Sequence, residues 1–243
     1  MTQSAVRFDQ VRKTYDRLPV LKGIDLDLAP GATFGLVGIN GAGKTTLIKC
    51  LLDFCHIDGG RIEIFGIRHT DSHSRARLAF LPERFMPPYY LTGRDFIGYM
   101  LTLDRRTVGE DMVRAMFATL DLDLAALTQP VRSYSKGMTQ KLGLAACILA
   151  EPDLLILDEP MSGLDPLARA RVKQLLRQLR EQGRTLFFTS HALSDVEEIC
   201  ENMVVLHQGS LCFSGSPQEL KLRYASDSME QAFLKCIDNQ DHG

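Results

Sequence analysis

Two groups of residues in this 243-residue chain have the types and spacing to handle phosphate. The first is Gly38-Ile39-Asn40-Gly41-Ala42-Gly43-Lys44-Thr45, which fits the pattern G-x-x-x-x-G-K-[ST]. Glycines there let backbone N–H groups curl round phosphate oxygens without Cβ clashes. A helix starting at the same point adds the partial positive charge of its N-terminus. In such a loop Lys44 reaches the β- and γ-phosphates and the Thr45 hydroxyl ligates Mg²⁺. The second group is Leu154-Leu155-Ile156-Leu157-Asp158-Glu159, four apolar residues ending in two carboxylates. A core strand would deliver Asp158 beside the phosphates, where it can hold Mg²⁺ through water. Glu159 is then placed to polarise an attacking water as general base. Alone, a strand ending in Asp-Glu reads as a solvated turn; the phosphate loop in the same chain changes that.

Four further features stand in order around these two. Tyr134-Ser135-Lys136-Gly137-Met138 opens a helical pattern shortly before the acidic strand, with Ser135 suited to N-cap it. Ser162-Gly163-Leu164-Asp165 follows just after Glu159, and His191 ends an apolar strand in Thr-Ser-His. Tyr15 precedes the phosphate loop. Each has an ordinary structural explanation by itself: a helix cap, a turn, a structural histidine, a packing tyrosine.

The elements that must position these residues can be read from apolar periodicity. Residues 5–8 and 21–28 alternate as strands, and Pro30-Gly31 marks a turn. Residues 32–37 are apolar without alternation, as expected for a strand covered on both faces, and run into the glycine-rich loop. A helix follows, carrying Leu47, Ile48, Leu51 and Leu52 on one face. Residues 60–66 and 78–81 read as strands, 92–103, 107–120 and 135–150 as helices. After 150, strands at 154–157, 185–189, 203–206 and 210–213 alternate with helices at 166–182 and 193–200, and short helices near 217–223 and 228–237 close the chain. The helix at 166 has Pro at its first turn and Gly183 past its end. The fold class is therefore α/β, a mostly parallel sheet interrupted by a helical insert.

Composition sets limits on function. With 28 Lys+Arg against 30 Asp+Glu, the net charge of −2 provides no global field for nucleic acid or an anionic membrane. The six cysteines form no C-x-x-C pair and read as reduced thiols of a cytosolic protein. Residues 1–10 hold no signal-peptide apolar stretch, and the longest apolar run, 142–150, is far short of the ~20 residues a membrane span needs. The expectation is a chain that does not itself cross a membrane.

Taken together, the ordered motifs resemble the ATP-binding subunits of ABC transporters, over about residues 5–217. The resemblance implies a P-loop NTPase core with a mostly parallel sheet, an N-terminal antiparallel β subdomain and a helical insert. It implies one ATP-binding domain over 1–243, with core at 1–89 and 151–217, a helical subdomain at 90–150 and a short helical tail at 218–243. Tyr15 would stack on adenine, and Gly38, Asn40, Gly41, Ala42, Gly43, Lys44, Thr45 and Thr46 would cradle the phosphates. Thr45, Glu83 and Asp158 would hold Mg²⁺. Glu159, His191 and Lys44 would be catalytic, His191 contacting the γ-phosphate. Ser135 and Gly137 would close over the ATP of a second subunit in a head-to-tail homodimer, with Asp165 communicating across it. The insert would dock on an integral membrane permease at the cytoplasmic face of the membrane, using the aromatic stretch 84–99, unless those aromatics simply pack in the core. No nucleic-acid partner is expected.

Two departures from the family pattern have consequences. The signature reads Tyr-Ser-Lys-Gly-Met where Leu-Ser-Gly-Gly-Gln is common, so Lys136 adds positive charge. Glu83 stands where the family usually has Gln; a carboxylate can ligate Mg²⁺ but cannot donate a hydrogen bond when ionised. Both forms resemble the exporter branch, which moves drugs, lipids or polysaccharides. A soluble ATPase of the same type acting in iron–sulfur assembly is an alternative at this stage. A small-molecule kinase is another, although residues 135–137 and 162–165 would have no role in it.

Overall fold

A computed structural model describes residues 3–241. The chain begins with a long hairpin, β1 (Val6–Tyr15) and β2 (Leu18–Leu28). After β3 (Thr33–Val37) and α1 (Lys44–Leu51), two short strands, β4 (Gly59–Ile64) and β5 (Ile67–Arg68), return to the hairpin. They complete an antiparallel sheet in the order β2-β1-β4-β5. Its inner face, with Val6, Phe8, Ile24, Leu26 and Ile62, packs with α1 in one apolar core.

The hairpin is longer than the alternating stretches 5–8 and 21–28 predict. A register shift after Phe8 breaks the period-two pattern, so the outer half of β1 does not read as a strand. The reversal is a two-residue turn, Asp16-Arg17, with φ of +47° and +70°, between the paired residues Tyr15 and Leu18. That backbone favours Asn-Gly, so Asp-Arg gives no hairpin signal.

A second sheet takes in β3, β6 (Leu78–Leu81), β7 (Leu154–Leu157), β8 (Thr185–Thr189), β9 (Asn202–His207) and β10 (Ser210–Gly215). Their order is β10-β9-β3-β8-β7-β6, parallel throughout except for β10. Every residue of β3, β7 and β8 is buried, which explains their near-continuous apolar runs without alternation. Between β6 and β7 the chain is helical: α2 (Gly93–Leu103), α3 (Glu110–Thr119) and α4 (Lys136–Leu149), with two short 3₁₀ turns and no strand over residues 93–149. Thr92 starts α2 with a capping box closed by Asp95. A Cβ on Gly143 of α4 would press on Leu81 and Phe85, so the insert sits directly on β6.

The remaining helices are α5 (Pro166–Glu181), α6 (Leu193–Ile199), α7 (Pro217–Arg223) and α8 (Met229–Asp241). A single apolar core joins the insert to the second sheet and these helices, from Phe96 and Phe117 through Leu144 and Leu157 to Phe188 and Phe233. Among the described residues no helix is long and apolar enough to cross a membrane. All six cysteines are free thiols; five are buried and Cys55 is half-buried.

Candidate functional site

The phosphate loop leaves β3 where the strand meets β9. A Cβ on Gly38 would run into the Leu206 carbonyl oxygen, so only glycine fits there. Gly41 has φ +82° and faces open space; Gly43, at φ +110°, precedes the first turn of α1. These left-handed residues turn the chain so that the free N–H groups of α1 face the cleft. The Lys44 ammonium donates to the carbonyls of Gly38 at 2.6 Å and Ile39 at 3.3 Å, which holds it against the loop. Burial lowers its pKa, and the carboxylates of Glu159, Asp158 and Glu83 push back in the other direction.

Asp158 and Glu159 leave the end of β7 into the same cleft. The Asp158 amide donates to Leu81 O at 2.8 Å, and its Oδ1 accepts from the Thr189 hydroxyl at 2.6 Å. The Glu159 amide donates back to that hydroxyl at 2.9 Å. Glu159 has φ +51°, an uncommon conformation for a residue with a side chain. Its Oε1 is buried, has no hydrogen-bond partner, and lies 3.5 Å from His191 Nε2. Burial raises the pKa of both carboxyls; for Glu159 the nearby His191 opposes the rise. The cleft, about 300 Å³, is lined by residues 40–46 with Val20, Glu83, Asp158, Glu159 and His191.

Tyr15, Ser135, Gly137 and Asp165 do not line that cleft. Ser135 caps α4 by accepting from the Met138 amide at 3.2 Å, and Asp165 caps α5 by accepting from Ala168 at 2.9 Å. The Ala168 bond also holds the Asp165 carboxyl below its ordinary pKa. The two caps belong to adjacent segments: Lys136 Nζ donates to Ser162 Oγ at 3.3 Å, and a Cβ on Gly137 would lie 3.2 Å from Gly163 O. Tyr15 is 42% exposed at the hairpin end. Its pKa is pushed up to about 12, chiefly by the neighbouring Cys55 thiol. Cys55 in turn lies 3.5 Å from Cys50, because α1 ends in a reversal with Asp53 left-handed and the Phe54 amide bonded to Lys49 O at 2.8 Å.

Residues 21–162 match the ABC transporter family. The chain belongs to that family. It is an ATP-binding subunit of an ABC transporter, and its enzymatic class is ATPase. An uncharacterized ABC transporter ATP-binding protein of Nostoc is 40% identical over 90% of this chain and 68% of its own length. The Nod factor export ATP-binding protein I of Paraburkholderia xenovorans is 35% identical over 90% of this chain and 73% of its own length. A solved ATP-binding subunit of an ABC transporter superposes with a TM-score of 0.88 at 25% identity, covering 96% of this chain and 99% of that one.

In this ATP-binding subunit the sequence motifs converge on one cleft for Lys44, Thr45, Glu83, Asp158, Glu159 and His191. Sequence reasoning missed Thr189, Gln140 and Val20. Thr189 carried no distinguishing signal, because β8 both begins and ends in threonine. Gln140 reads as a helix surface position, yet it is buried and its amide donates to the carbonyls of Glu159 at 3.4 Å and Pro160 at 3.3 Å. The donor set of the cleft suits a small hard cation: a hydroxyl and carboxylates, two of them with pKa raised by burial. Of the aromatics in 84–99, Phe85 and Phe96 pack edge-to-face at 5.6 Å, whereas Tyr89, Tyr90 and Tyr99 are exposed, together with Met86.

Proposed function

We propose that this ATP-binding subunit powers export of a lipid-, drug- or polysaccharide-like cargo through an integral membrane permease. It would work at the cytoplasmic face of the membrane, as a head-to-tail pair with a second ATP-binding subunit. Glu83 and the Ser-Lys-Gly-Met signature support export, as does the 35% identical relative named for Nod factor export. The core over 1–89 and 151–217 would bind nucleotide. The insert over 90–150, with the segment leading into it, would meet the permease, the exposed Met86, Tyr89 and Tyr90 being on the docking surface.

The observation that carries the hydrolytic assignment is Glu159 Oε1, buried without a hydrogen-bond partner in the cleft that also holds Lys44 and Asp158. An unpaired buried carboxylate oxygen is ready to accept a proton. In the reaction a water oxygen attacks the γ-phosphorus, the bond to the β-bridging oxygen breaks, and ADP leaves. Glu159 accepts the water proton and then passes it to the released phosphate. His191 orients the water and contacts the γ-phosphate. Lys44 and the loop N–H groups take up charge that develops on the phosphate oxygens. Thr45, Asp158 and Glu83 would hold Mg²⁺, which supplies further charge neutralisation when bound. Tyr15 would carry the adenine. Ser135, Gly137 and Asp165, being outside this cleft, would serve the ATP of the paired subunit.

The test is Glu159→Gln in the full chain. ATP hydrolysis should fall on the order of 10²–10⁴-fold with ATP binding retained. Unchanged turnover would remove Glu159 as the base.

A further inference from the structure

Thr189 ends β8, which lies between β3, the strand of the phosphate loop, and β7, the strand of the acidic pair. It pairs in register with Leu36 on one side. On the other side the last registered pair is Leu157 with Phe188, so Thr189 sits one step beyond the end of β7. There its side chain takes over from the backbone ladder. The residue is fully buried, and its hydroxyl bonds two consecutive residues, Asp158 through Oδ1 at 2.6 Å and Glu159 through the amide at 2.9 Å. The directions of these bonds are fixed by chemistry. An amide can only donate, so the hydroxyl accepts from Glu159 and its single proton goes to the Asp158 carboxylate. Two residues further on, His191 reaches Glu159 Oε1.

Glu159 also needs this support. Its φ of +51° is costly for a residue with a Cβ and persists only where surrounding bonds impose it. The Thr189 bond to its amide and the Gln140 bond to its carbonyl clamp the residue from both ends.

We propose that Thr189 is a positioning residue for ATP hydrolysis: its hydroxyl orients the Asp158 carboxylate toward the cation and locks the left-handed backbone that aims Glu159 at the water. The proposal rests on the roles assigned to Asp158 and Glu159 above. It does not make Thr189 a group that touches ATP.

Thr189→Val keeps the shape and removes both bonds, leaving Asp158 Oδ1 and the Glu159 amide buried without that partner. Loss of a buried hydrogen bond to a charged group predicts a drop in kcat of roughly 10–10²-fold, with KM for ATP within about threefold. Thr189→Ser, which keeps the hydroxyl, should recover kcat to within about threefold of wild type. The readout beyond turnover is the Mg²⁺ concentration giving half of the ATP-induced rise in melting temperature. It should increase about tenfold in Thr189→Val, with the ATP-induced rise in EDTA unchanged. Thr33, in the same sheet, has a buried hydroxyl without a hydrogen-bond partner, so Thr33→Val is the matched control and should leave kcat within about twofold. If Thr189→Val is insoluble, Thr189→Ala is held to the same outcomes. A kcat for the valine or alanine variant within twofold of wild type, or an unmoved Mg²⁺ midpoint, overturns the proposal; so does failure of Thr189→Ser to recover turnover. Glu159→Gln assayed in parallel separates the two layers. If it stays active, the base assignment falls. If it is inactive while Thr189→Val is not, the role of Thr189 alone falls.

Discussion

Ionised Glu159 is a cost to the fold before it is a benefit to the reaction. Burial holds its carboxyl above the ordinary range, and Oε1 lacks a hydrogen-bond partner. Because the folded pKa lies above the unfolded one, the native state binds more protons in the window between them. Stability is lost as pH rises through the folded value, and the whole cost is present once the group is ionised. Glu159→Gln keeps the shape and removes the charge. In the nucleotide-free chain at neutral pH it should raise the melting temperature by ~2–4 °C, about 1 kcal/mol for a chain of this size, as read by calorimetry. The same substitution that abolishes turnover therefore stabilises the protein. Lys44, Thr45, Asp158 and Glu159 were legible in the sequence because each group is a run of adjacent residues with one chemical purpose. Thr189 and Gln140 were not, because they reach the acidic pair from elements whose neighbouring residues read as core or helix surface.

At the scale of elements, legibility followed regularity. The helix predicted at 166–182 runs Pro166–Glu181, and the strands predicted at 78–81, 154–157 and 185–189 match their observed bounds. Proline, glycine and unbroken apolar runs marked those ends. The hairpin failed this test because its bulge hides the alternation and its two-residue turn places Arg17 in a left-handed conformation that favours glycine. That mismatch can be repaired. Asp16→Asn with Arg17→Gly should stabilise the chain by ~0.5–1 kcal/mol in chemical denaturation, since the gain from an unstrained turn exceeds the added entropy of glycine in the unfolded chain. ATP affinity should stay within about twofold, since the pairing of Tyr15 with Leu18 is kept.

Across the whole molecule, the parts of the cleft come from distant stretches of chain that the second sheet gathers side by side. The loop follows β3, Glu83 follows β6, the acidic pair follows β7 and His191 follows β8. Among the described residues, β3 pairs with β8 and β9, both of which lie beyond residue 184. This order has a consequence for synthesis on the ribosome. As the chain emerges, β6 and β7 can pair early, but the strand bearing the phosphate loop waits for its neighbours until three-quarters of the protein has been made. During that interval Phe34, Leu36 and Val37 have no sheet to enter and are candidates for chaperone capture. Stalled nascent chains exposing residues through 184 should not crosslink to a photoreactive ATP analogue, whereas chains exposing residues through 215 should. The loop whose pattern is plainest in the sequence is thus among the last parts of the site to take shape.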